Sequence, residues 1–129
     1  MHKTVLKFKK IEVKAFKPKD LKVNLSIYFD KDEKEEIIDK EFILKNPIEI
    51  VNKILLAIKS KGKIIVEEED DDILKNIYIT RVDREEEIED KLLVFFKDLV
   101  ERGKKLKSLK NAGQYMKLYN EIKVMKLVF

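Results

Sequence analysis

The chain has 129 residues, 44% hydrophobic and 42% charged, with a net charge of +4 at neutral pH. That length suits one domain spanning 1–129 with a real core, and regularly recurring apolar residues exclude a disordered polyelectrolyte. The absence of cysteine excludes disulfide frameworks, thiolate metal sites and cysteine nucleophiles. Abundant Lys and Glu with a single Gln and no Trp is the pattern expected of a thermophile protein.

Thr4 to Lys17 reads as a strand with a defect: Leu6 and Phe8 share one parity, Ile11, Val13 and Ala15 the other. A one-residue phase change at Lys9-Lys10 is what a β-bulge produces. Lys17-Pro18-Lys19-Asp20 supplies a turn. From Leu21 to Phe29, Leu21, Val23, Leu25, Ile27 and Phe29 alternate strictly with polar partners and Tyr28, the pattern of a half-buried strand. A charged turn over Asp30–Lys34 leads to a third strand near Glu36–Leu44, completing an antiparallel meander.

Asn46-Pro47-Ile48-Glu49 starts a helix, with Asn as cap, Pro in the first helical position and Glu placed for a capping box. Ile48, Val51, Ile54, Leu55 and Ile58 form its inner stripe, which Ile50 and Leu56 widen, and Gly62 stands as the residue that ends it. Lys63–Glu68 and Ile73–Val82 read as two more strands around the acidic run 67–72. The longest helical stretch follows from Asp83 to Lys110, with Asp83 as its cap. Ile88, Leu92, Phe95, Leu99, Leu106 and Leu109 line one side, interrupted only by Arg102. Asn111-Ala112-Gly113 reads as a stop. The segment 114–129 fits a helix through Tyr115, Leu118, Tyr119, Ile122 and Met125, the alternative being a final strand over 122–129. The predicted fold is α+β: an antiparallel sheet of about five strands in the order β-β-β-α-β-β-α, with a long helix and a C-terminal helix.

Catalytic motifs are missing. The only histidine is His2, at the N-terminus, and the three serines sit in no nucleophile motif. Gly62, Gly103 and Gly113 are too widely spaced for a phosphate-cradling loop. The acidic run 67–72 lacks the glycine and spacing of a dedicated cation loop, so a solvated hairpin tip accounts for it. The chain is therefore expected to be no enzyme and to need neither cofactor nor metal. Apolar runs reach only five residues, far short of the roughly 20 that span a bilayer, and no signal sequence opens the chain. A cytoplasmic protein without a membrane partner is expected.

Two features point to partners. Leu93, Phe96 and Val100 form a second stripe on the long helix at about 100° to the first, so seven of the nine residues from Leu92 to Val100 are apolar. Such a helix needs cover on more than one side. Residues 114–129 could supply it, or a second subunit or protein partner could, giving an assembly domain that works through 83–110. The alternative function is nucleic-acid binding. Residues 1–19 carry seven Lys against one Glu (+6), and 102–129 carry eight basic residues against one Glu (+7), around a middle of −9 with 14 basic and 23 acidic residues. In that reading Arg102, Lys104, Lys105, Lys107, Lys110 and Lys117 contact phosphates and Tyr115 stacks on a base.

Overall fold

A computed structural model describes residues 4–64 and 85–129. The predicted strand over 73–82, the acidic run 67–72 and the Asp83 cap lie outside the described residues. Within them the fold is α+β, with strands β1 (Val5–Lys17), β2 (Lys22–Lys31), β3 (Lys34–Ile43), β4 (Lys63–Ile64) and β5 (Lys126–Val128). The helices are α1 (Pro47–Lys59), α2 (Glu85–Ser108) and α3 (Ala112–Lys123). The sheet order is β3-β2-β1-β4, and β5 also pairs with β1. Because β4 runs parallel to β1, the sheet is mixed rather than purely antiparallel. The meander β1-β2-β3 is antiparallel throughout.

β1 keeps one face apolar across two interruptions. Leu6, Phe8, Ile11 and Phe16 are buried and Val13 packs partly buried against them, at spacings that simple alternation would scatter over both faces. Register shifts between Phe8 and Lys10 and between Val13 and Ala15 restore the phase each time. The first is the predicted bulge. The second puts Phe16, not Ala15, into the core. On β2, Val23, Leu25, Ile27 and Phe29 are fully buried, as alternation predicts. Leu21 instead ends the preceding turn at φ 48°, with its N–H donating to the Pro18 carbonyl at 3.2 Å.

The β2–β3 hairpin closes at Lys31 and Lys34 through Asp32 and Glu33, both left-handed at φ 50° and 69°. Two positive φ values match the twist of a two-residue hairpin but cost any residue with a Cβ. Glu33→Gly should therefore raise stability by about 1 kcal/mol in a denaturant titration. Asp32 is the residue to keep, since its carboxylate accepts from the Val5 N–H at 3.1 Å and its N–H donates to the Val5 carbonyl at 3.0 Å.

Helix α1 begins as predicted: Asn46 Oδ1 accepts from the Ile48 N–H at 3.0 Å and the Glu49 N–H at 3.5 Å. Its buried face is Ile50, Val51, Ile54, Leu55 and Ile58, while Ile48 and Leu56 are exposed. The inner stripe is thus rotated from the predicted one. The helix ends with Ser60 as cap, and Gly62 lies two residues beyond. Asn111-Ala112-Gly113 is a start rather than a stop, because Asn111 Oδ1 accepts from the Gln114 N–H at 3.0 Å and caps α3. The C-terminal segment is both predicted alternatives in series, helix to Lys123 and then the short strand β5.

α2 is the middle helix of a layer on the inner sheet face, with α1 and α3 both packed against it. Ile88, Leu92, Phe95, Phe96, Leu99, Val100 and Leu106 are all buried. Gly103 sets its approach to the sheet end. A Cβ there would stand 3.2 Å from Leu44 Cδ1 and 3.7 Å from Leu21 Cδ2.

Candidate interaction surface

The interface expected at Leu93, Phe96 and Val100 does not face outward. Phe96 is 0% and Val100 4% exposed, and Leu93 is half-buried against the core. Phe96 meets Phe95 edge-on with ring centroids 5.1 Å apart. The reason is the helix's position: with the sheet beneath and a helix on either flank, α2 needs more than one apolar stripe within a single chain.

The predicted basic surface is divided. Arg102 is committed to α2 and α3, its Nε donating to Asp98 Oδ1 at 2.9 Å and its Nη1 to Glu121 Oε2 at 3.3 Å. Lys104, Lys105, Lys107, Lys110 and Lys117 are exposed on the helical layer. Tyr115 lies parallel to Tyr119 at 6.4 Å and is half-buried against the core.

The lysines of β1 belong to the opposite, outer face of the sheet. There Lys9 binds Asp30 at 3.3 Å and Glu35 at 3.1 Å, Lys14 binds Asp39 at 3.3 Å, and Lys17 binds Glu41 at 3.3 Å. Ser26 Oγ donates to Asp39 Oδ1 at 2.6 Å, and this hydroxyl, helped by Lys14, holds the Asp39 carboxyl below the usual carboxylate range. Carboxylate bonds from Glu35 and Asp30 likewise raise Lys9 above the usual amine value. The positive charge of β1 is answered mainly by acids on β2 and β3.

The open apolar feature lies on the flank of α2 that faces β5. α3 has 12 residues to the 24 of α2, so it spans only about half the length of its neighbour. It accompanies the later half of α2, where Arg102, Lys105 and Leu109 border Leu118 and Glu121 across a polar cleft. Beyond the turn at Val124 the chain becomes β5, which borders the earlier half. A shallow groove remains there between Val94 and Phe95 of α2 and Leu127 and Val128 of β5. Asp90, Lys91 and Asp98 form its rim. Val94 is 70% and Val128 60% exposed.

β5 also presents backbone. Its pairing with β1 is fixed by the Val13 N–H donating to the Met125 carbonyl at 3.2 Å and the Phe129 N–H to the Lys9 carbonyl at 2.9 Å. Leu127 pairs with Ile11 in the same phase. By antiparallel alternation the N–H and C=O of Lys126 and Val128 then point away from β1. Among the described residues no strand pairs with that side of β5.

The sequence did carry one trace of this groove. Val94 is apolar yet belongs to neither stripe of the long helix, and it counts among the seven apolar residues from Leu92 to Val100. Leu127 and Val128 were hidden by the extension of the helical pattern through the last residues. No family model, curated protein or solved structure matches the chain. No helix among the described residues is long and apolar enough to cross a membrane.

Proposed function

We propose that this chain is a non-enzymatic, cytoplasmic interaction domain, and that it captures an extended apolar segment of a protein partner in the groove between α2 and β5. The segment adds to β5 as a further strand and lays its inward side chains on Val94 and Phe95. The observation that carries this reading is the coincidence of a strand edge at Lys126 and Val128, unpaired among the described residues, with exposed apolar surface beside it. Main-chain bonds supply affinity in such strand addition, and neighbouring pockets supply selectivity.

Among the described residues, the opposite edge of the sheet supports the choice by contrast. β3 places Glu36 opposite Phe29 and Lys40 opposite Leu25 on the inner face, the inward charges that keep an edge strand from pairing. β5 has no such guard on Leu127. The size of the groove favours a short segment over a second copy of the chain, because a stable dimer buries at least about 1,200 Å² in total. The remaining exposed apolar residues, such as Ile37 on β3, Leu56 on α1 and Met116 on α3, are dispersed over other elements.

The test uses a displayed library of random heptapeptides with the wild type, Val94→Lys and Val128→Pro. Val128→Pro removes an N–H that β1 does not use and puts a ring where an added strand would lie. The wild type should enrich apolar extended sequences, and each variant should bind them about 30-fold more weakly, as expected for loss of about 2 kcal/mol at a small interface. Circular dichroism should be unchanged. Failure to enrich any sequence, or binders indifferent to both substitutions, would overturn the reading. A dimer held by β5 against its counterpart would replace the peptide with a second copy.

A further inference from the structure

We infer that the captured segment has a basic residue two positions before and two positions after its central apolar residue, an inference that rests on the strand-addition reading above. The groove has a carboxylate at each end. Asp90 and Asp98 stand eight residues apart on α2, about 12 Å along the helix axis. Val94 and Phe95 lie midway. In an extended strand, residues two before and two after a central position are four residues apart, about 13 Å, and share its face.

The phase of β5 decides which residue is central. Since Lys126 and Val128 turn their backbone groups outward, the incoming residue opposite Leu127 shares the face of Leu127. Leu127 packs partly buried against the core, so this face meets α2. The central residue therefore lands on Val94 and Phe95, and its neighbours two positions away reach toward Asp90 and Asp98.

The sign of the charge follows from the helix. From Glu86 to Glu101 it carries six carboxylates against Lys91 and Lys97. Lys91 lies over the Phe129 ring at 6.0 Å, and Asp98 already holds Arg102, so the rim is mixed at close range but acidic along its length. Glutamates at the flanking positions would meet like charge, whereas lysines would meet opposite charge. Interspersed charges of this kind act on partner choice more than on raw affinity.

Two fluorescent heptapeptides of β-branched residues, identical except for lysine or glutamate on both sides of the central isoleucine at two-residue spacing, provide the test by fluorescence anisotropy. The lysine peptide should bind about tenfold tighter at low salt, with the preference shrinking in high salt. Asp90→Lys should reduce that preference several-fold, with a neutral serine-flanked peptide as the reference for both proteins. Equal affinity of the two charged peptides, with binding still lost in Val94→Lys, would overturn the charge rule and leave strand addition standing. Absence of binding by all three peptides would overturn both.

Discussion

Phe96→Ala should lower the free energy of unfolding by about 4 kcal/mol, the largest single effect expected in this chain. Phe96 is fully buried in the core, and its ring meets Phe95 at an interplanar angle of 80°. Truncation removes that burial and leaves a cavity that the helix layer can close only in part. The same substitution separates two accounts of the second stripe. If the stripe were an assembly surface, the variant would change the solution mass and remove a concentration dependence from unfolding. With the stripe covered inside the chain, light scattering gives the same mass for both proteins and only the denaturation midpoint moves. A wild-type dimer that the substitution dissociates into a stable monomer would contradict this packing.

Gly62→Ala should cost about 3 kcal/mol and lower Tm by about 10 °C. Gly62 has φ +154°, and a Cβ on it would stand 2.7 Å from the Thr4 carbonyl oxygen and 2.8 Å from Thr4 Cβ. The oxygen cannot withdraw freely, because it accepts the Lys63 N–H at 2.8 Å where β4 joins β1. Any shift that admits the methyl group therefore loosens the only parallel pairing described in the sheet. Lys61→Ala, exposed one residue earlier, is the control and should stay within about 0.5 kcal/mol. A Gly62→Ala protein as stable as that control would mean the close approach to Thr4 is not maintained in solution.

The fold was legible wherever a local rule and the tertiary packing agreed. β2 shows it best: four alternating apolar residues are buried on one face, because a strand between two neighbours has one core side and one wet side. The Asn46 cap was equally readable, being a short-range hydrogen-bond pattern. Errors arose where one rule served two outcomes. Phe16 lies three residues beyond Val13, and only a second bulge brings it inward. Leu21 fits the alternation of β2, yet sits in a left-handed turn. Asn111 caps a helix with the same residue type that can end one.

The interaction surface was less legible, for a physical reason. An apolar stripe on a helix reports that something covers it, not what does. For Phe96 and Val100 the cover is the chain's own core, whose arrangement depends on contacts far apart in sequence. For Val94 no stripe was present to notice, and its neighbours across the groove lie on a three-residue strand too short to stand out against helical periodicity. Likewise, the lysines of β1 looked like a free basic patch until β3 brought Glu35, Asp39 and Glu41 alongside.

Amide hydrogen exchange at Lys126 and Val128 tests the central claim most directly. Both N–H groups should exchange quickly in the free protein, while those of Leu127 and Phe129, facing β1, are protected. Adding the lysine-flanked peptide at saturating concentration should slow Lys126 and Val128 by at least about tenfold and leave the amides of β3 unchanged. Binding that protects β3, or that leaves Lys126 and Val128 as fast as before, would contradict strand addition at β5.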